Sequence, residues 1–260
     1  MDNIVAKKSL GQNFLQDHNI LRKISDSIDV TKSDLIIEIG PGKGALTNYL
    51  VEKGCQVIAF EIDERMREIL DSFHYDNFKV YYGDFLKANL IEILNNYNYD
   101  NLYVMANIPY YITTPIIEYI IDSKINVKEM VLLVQKEVAD RFSAGPGSKL
   151  YGSISVYLQY YFDVKKLFNV SNKCFFPVPK VDSAVVKFTR DDNKIMIDTN
   201  KFFKFVNECF QFKRKTLRNN LKGYDWSIIY KILLDNGFGD NVRAEELSID
   251  VFIELFNELK

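Results

Sequence analysis

Histidine is almost missing from this chain: His18 and His74 are the only two among 260 residues. A Ser-His-Asp triad or a histidine-rich metal site would hang on one of them, so neither is expected, and no metal is expected. Cysteine is equally sparse. Cys55, Cys174 and Cys209 are odd in number, scattered and without metal spacing, which predicts buried thiols. No apolar run approaches the roughly 20 residues that span a bilayer. The start, MDNIVAKKSLGQNF, lacks the apolar stretch of a secretory signal. A cytoplasmic protein with no membrane partner is the expectation.

What is present is ordinary in bulk and uneven in detail. A hydrophobic fraction of 47% and a charged fraction of 26% fit a soluble globular chain with one large domain, or one domain and a small satellite. The net charge of −2 hides an asymmetry. Residues 1–164 carry 16 Lys and Arg against 22 Asp and Glu, residues 165–223 carry 14 against 5, and residues 224–260 carry 3 against 8. The basic block is a candidate footprint for nucleic acid, although a solvated basic face would have the same composition.

Short apolar runs alternate with amphipathic stretches between about residues 35 and 145. DLIIEIG (34–40), QVIAFEI (56–62), FKVYYGD (78–84), LYVMANI (102–108) and MVLLVQK (130–136) read as strands buried on both faces. ALTNYLVEKG, DERMREILDSF and TTPIIEYIIDS read as helices, the last with Thr113 or Thr114 as its N-cap. Strands alternating with helices predict a doubly wound, mostly parallel sheet of the α/β, Rossmann-like class, with ligands beyond the C-terminal strand ends. SAGPGSKLYGS (143–153) reads as a binding or mobile loop, and FNVSNKCFFPVPKVDSAVVKF (168–188) as an antiparallel pair around a proline turn. From about Asn200 the pattern turns helical. The predicted division is a catalytic domain over 1–195 and a small all-helical C-terminal domain over 196–260.

EIGPGKG (38–44) closes the first strand and opens a helix. Gly40, Gly42 and Gly44 permit a tight turn and close approach of a ligand to the backbone. Glu61 ends the second strand, placed to accept both ribose hydroxyls of an adenosine-like ligand. Asp84, at the end of the third, can accept from an adenine amino group. The spacing G-x-G-x-G departs from the dinucleotide G-x-G-x-x-G, and Lys43 is followed by Gly44 rather than Ser or Thr. Acids around the loop repel a pyrophosphate and tolerate a sulfonium, so S-adenosyl-L-methionine is the expected cofactor.

The fourth strand delivers Asn107, Ile108, Pro109 and Tyr110 to the same crevice. An adenine N6 is a poor nucleophile because its lone pair is delocalised into the ring. The Asn107 side-chain oxygen and the Ile108 carbonyl can hold its two hydrogens and draw the nitrogen toward tetrahedral geometry. Pro109 fixes the backbone direction without a competing N–H. Tyr110 can stack on an extruded base.

With KKSLGQNFL (7–15), EIGPGKGALT, EID, GDF and NIPYYITTPII on the page, the chain resembles the small-subunit ribosomal RNA adenine dimethyltransferases, the KsgA family, over essentially its whole length. The resemblance implies that Asn13 and Leu15 touch the methyl donor, along with Gly40, Glu61, Asp84 and Asn107. CFFPVPKVDSAV (174–185) resembles the family's target-base loop and implies Phe175 as a second stacking ring. FQFKRKTLRNNL (210–221) resembles its helical tail, which contacts ribosomal RNA. Lys213, Arg214, Lys215 and Arg218 are then the candidate phosphate contacts. Ile108 stands where the family commonly has Leu, and Lys213-Arg214 where it often has two arginines. The implied reaction transfers two methyl groups to each of two adjacent adenines in the 3′-terminal stem-loop of small-subunit (16S) rRNA. The implied partner is that rRNA or a pre-assembled small subunit, met by a monomer. Three alternatives stand beside it: a macrolide-resistance-type methyltransferase of large-subunit rRNA, an assembly factor acting mainly by binding, and, more distantly, a nicotinamide dehydrogenase.

Overall fold

In the computed structural model, which describes residues 5–7, 10–107, 112–192 and 195–259, all five apolar runs named above are strands. In chain order the strands are β1 (Phe14–Leu15), β2 (Leu35–Ile39), β3 (Gln56–Glu61), β4 (Phe78–Tyr82), β5 (Leu102–Asn107), β6 (Val127–Gln135), β7 (Phe162–Val170), β8 (Phe175–Phe176) and β9 (Ser183–Arg190). Seven of them form the main sheet in the order β4-β3-β2-β5-β6-β9-β7. The first five run parallel and β9 runs antiparallel to β6. All five residues of β2 are buried, as a central strand covered on both faces requires. The chain winds outward from β2 through β3 to β4, then returns to lay β5 against the other side of β2. That reversal opens a crevice beyond the C-terminal ends of β2 and β5.

The helices of the first half are α1 (His18–Ser25), α2 (Thr47–Val51), α3 (Arg67–Asp71), α4 (Leu90–Leu94) and α5 (Thr113–Asp122). A core cluster joins Leu21, Ile24, Leu46, Leu50, Ile36 and Met105. Helix α5 corrects one expectation. Its N-cap is Ile112, which offers no side-chain hydrogen bond, and Thr113 is already helical and buried. The 168–188 stretch does contribute neighbouring strands β7 and β9, but β8, between them in sequence, leaves the main sheet and pairs antiparallel with β1.

The chain divides into two compact units, Met1–Ala139 with Lys165–Arg190, and Asp140–Val164 with Asp191–Lys260. The boundary expected after residue 195 thus falls at Arg190, and the 140–164 segment joins the second unit. Helices α6 (Lys136–Phe142), α7 (Ser153–Tyr161), α8 (Thr199–Cys209), α9 (Leu217–Asn220), α10 (Trp226–Asp235) and α11 (Ile249–Glu258) follow in order. In the second unit Tyr160, Phe202, Phe205, Ile229, Leu233 and Phe252 share one core. The glycine-rich loop is held within that unit, where the Gly147 N–H donates to the Glu245 carbonyl at 2.7 Å. Among the described residues no helix is long and apolar enough to cross a membrane.

Candidate active site

Beyond the ends of β2 and β5 lies a cavity of about 850 Å³. Asn13, Leu15, Gly40, Gly42, Glu61, Asp84 and Asn107 all line it. Register explains part of this convergence. Ile39 of β2 stands opposite Ala106 of β5, so Gly40 and Asn107, one residue on, emerge side by side. The glycine loop then turns with Gly40 at φ 70° and Gly42 at φ 57°, conformations that L side chains rarely adopt. A Cβ on Gly42 would also meet the Phe14 ring at 3.1 Å, so this glycine lets the N-terminal segment lie against the loop.

Two buried carboxylates face the cavity. Glu61 accepts the Gly42 N–H at 2.9 Å on Oε2 and the Asp63 N–H at 2.7 Å on Oε1. Both oxygens are engaged by backbone, and each retains a lone pair for a ligand hydroxyl. Burial raises its pKa, opposed by those same amides. Glu38 is 2% exposed and accepts the Thr47 hydroxyl at 2.6 Å. Burial drives its pKa from 4.5 up to about 8, with the Thr47 bond pulling down and the Glu61 charge adding to the rise. Asp84 accepts the Leu86 N–H on Oδ1 at 3.0 Å, capping a short turn and leaving Oδ2 4.0 Å from the Lys87 ammonium.

A strap formed by residues 10–16 lies against the glycine loop and adds to the cavity wall. Its end is β1, where Phe14 pairs with Phe176 and Leu15 with Phe175 of β8. Phe175 lines the cavity from a nearly buried position, at 3% exposure, and the exposed ring of that strand is Phe176, at 62%. Asn107 closes β5 and reaches the cavity. Ile108, Pro109 and Tyr110 lie outside the described residues. Gln12 and Asp63 went unnoticed in the sequence: Gln12 lines the cavity and donates to Asp63 Oδ2 at 2.8 Å.

The four candidate RNA contacts belong to the second unit, after α8. Lys213, Arg214, Lys215 and Arg218 are all exposed. The Lys213 ammonium donates to the Lys149 carbonyl at 2.7 Å, and Arg218 pairs with Asp240 at 3.0 Å while lying over the Trp226 ring.

The donor set suits an adenosyl sulfonium. The cavity offers carboxylates at two strand ends and a glycine loop for close backbone approach, an acidic lining with, among the described residues, no basic strand-end residue to repel a cation. Among the described residues no cluster suits a metal ion. Comparison with known proteins points to a methyl donor as well. A family model described as Ribosomal RNA adenine dimethylase matches residues 3–260. The ribosomal RNA small subunit methyltransferase A of Streptococcus pneumoniae serotype 2 is 46% identical, over 98% of this chain and 92% of its own length. Its counterpart in Lactococcus lactis subsp. lactis is 43% identical, over 97% and 90%. Among solved structures, a dimethyladenosine transferase from Plasmodium falciparum superposes with a TM-score of 0.76 and 27% identity, over 93% of this chain and 95% of that one. The 23S rRNA methyltransferase ErmE gives 0.75 and 25%, over 95% and 99%.

Proposed function

The chain belongs to the ribosomal RNA adenine dimethylase family, and from that premise we propose that its substrate is small-subunit rRNA, two adjacent adenines of the 3′-terminal stem-loop each receiving two methyl groups. The enzyme is an S-adenosylmethionine-dependent rRNA adenine dimethyltransferase. When bound, S-adenosylmethionine supplies an electrophilic methyl group. In the reading proposed, Glu61 accepts the ribose hydroxyls, Asp84 accepts from the donor's adenine, and Gly40, Gly42, Asn13 and Leu15 close around it. Asn107 Oδ1 and the Ile108 carbonyl take the two N6 hydrogens of the target base, orienting the amine lone pair. Pro109 sets the direction of that backbone, and Tyr110 and Phe175 form the base's aromatic surroundings. The work is positioning and electrostatics, with no imidazole required.

One observation carries the reading: seven positions, chosen from five separate stretches of sequence, line a single cavity. The second unit then acts as the rRNA-contacting domain, its basic loop meeting phosphates. The protein works as a cytoplasmic monomer, on free rRNA or on a pre-assembled small subunit. The test supplies radiolabelled S-adenosylmethionine to unmethylated small subunits, large subunits and free rRNA in parallel, followed by nucleoside analysis. Dimethyl-N6-adenosine confined to small-subunit material is the expected result. Label in large-subunit rRNA would overturn the target.

A further inference from the structure

Asp63 does not line the cavity, yet it holds two things that do. Its carboxylate is 5% exposed and is ringed by donors. Arg65 reaches it through Nε at 2.8 Å, Nη2 at 2.6 Å and its own backbone N–H at 3.2 Å. A local Asp–Arg pair at a strand end would ordinarily matter little. Here Oδ2 also accepts Gln12 Nε2 at 2.8 Å, from 51 positions away in sequence. The Gln12 amide is engaged at its other end as well. Its Oε1 accepts the Lys7 N–H at 2.8 Å and Arg65 Nη2 at 3.3 Å. Arg65 Nη1 adds a bond to the Val5 carbonyl at 3.2 Å. The strap is thereby clasped to the end of β3, just before Asn13, Phe14 and Leu15 pass along the cavity wall. The Asp63 N–H meanwhile donates to Glu61 Oε1 at 2.7 Å, so the same residue also orients a carboxylate that lines the cavity.

We propose that the Gln12–Asp63–Arg65 clasp is the positioning element of the donor site, holding the strap and Glu61 at the separation the methyl donor requires. The inference rests on the donor reading given above. Asp63 is a positioning residue and touches no reacting atom. The Arg65 hydrogen bonds hold its pKa at about 2, so the clasp keeps its charge at any working pH.

Arg65 lies within reach of both Gln12 and Asp63, which permits an exchange test. Gln12→Glu sets two carboxylates against each other. Asp63→Asn removes the anion that Arg65 and Gln12 share. The double variant Gln12→Glu/Asp63→Asn restores one carboxylate and one amide in reversed order, with Arg65 beside both. Equilibrium dialysis of each full-length variant with S-adenosylmethionine and with S-adenosylhomocysteine reads the clasp directly, without turnover. Each single variant is expected to bind both about tenfold more weakly, the loss of one charge-assisted hydrogen bond. The double variant is expected to recover most of that loss. Gln12→Ala, on a half-buried side chain, supplies a milder opening should either charged variant fold poorly, and is expected to weaken binding in the same direction. Singles that bind like the native protein would overturn the clasp, as would a double variant as weak as the two losses combined. A native protein that binds neither compound would instead overturn the donor reading itself.

Discussion

Gly44 stands at φ 78°, and a Cβ there would come within 2.3 Å of the Phe73 ring. Gly44→Ala is therefore expected to combine about 1–2 kcal/mol of left-handed strain with displacement of that ring. A thermal melt should show the midpoint lowered by roughly 2–4 °C per kcal/mol for a chain of this size. Glu38 makes a second prediction at this scale. The folded chain keeps a proton on it up to about pH 8, whereas the unfolded chain releases it near 4.5. Folding takes up a proton across that window, so the Glu38 contribution to stability is complete below it and is lost as pH rises through it. Glu38→Gln should flatten that fall, gaining on the native protein near the alkaline end, as urea midpoints at about pH 5.5 and about pH 8.5 will report. Among these residues the glycines and Glu61 were legible beforehand because a strand-to-helix turn and an acid at the next strand's end form a spaced pattern. Gln12 and Asp63 were not. A polar side chain on a loop follows no period, and its partner is set by the fold.

At the scale of elements, the strands that were legible are those buried on both faces, where an unbroken apolar run leaves few alternatives. β1 and β8 have two residues each, too few to display any alternation, and only their mutual pairing makes them strands. Helices α2 and α3 are shorter than their patterns implied, because the apolar spacing continues into the flanking turns. The 140–164 segment sits between β6 and β7 in sequence, with nothing in its composition to say that Tyr151, Val156 and Tyr160 would pack with Phe202 and Phe252. Helix α1, which follows the strap, is capped by Asp17, whose Oδ1 accepts the Asn19 and Ile20 N–H groups at 2.9 and 3.1 Å. Asp17→Ala is expected to cost about 1 kcal/mol, measurable as a lower denaturant midpoint with an unchanged slope.

For the molecule as a whole, acidic outer segments flank a basic one, and the four basic residues after α8 are not equivalent. Arg218 is already paired with Asp240, whereas Arg214 and Lys215 are exposed on the loop. On the RNA-contacting reading, Arg214→Ala and Lys215→Ala should each flatten the log–log salt dependence of rRNA binding by about 0.7–0.9. Arg218→Ala should change it less, since that guanidinium is already engaged by Asp240 and has less to offer a phosphate. Filter binding at several salt concentrations, with donor affinity as the control, checks both statements. The pairing of β1 with β8 has a consequence in time as well as space. The two strands lie roughly 160 positions apart, a long loop to close before either gains a partner. During synthesis the strap emerges ahead of the sheet strands and waits while most of them are made. Its partner leaves the ribosome only with Phe175 and Phe176, so a segment made before most of the sheet finds its place only after it, and the donor's wall is finished after the floor it stands on.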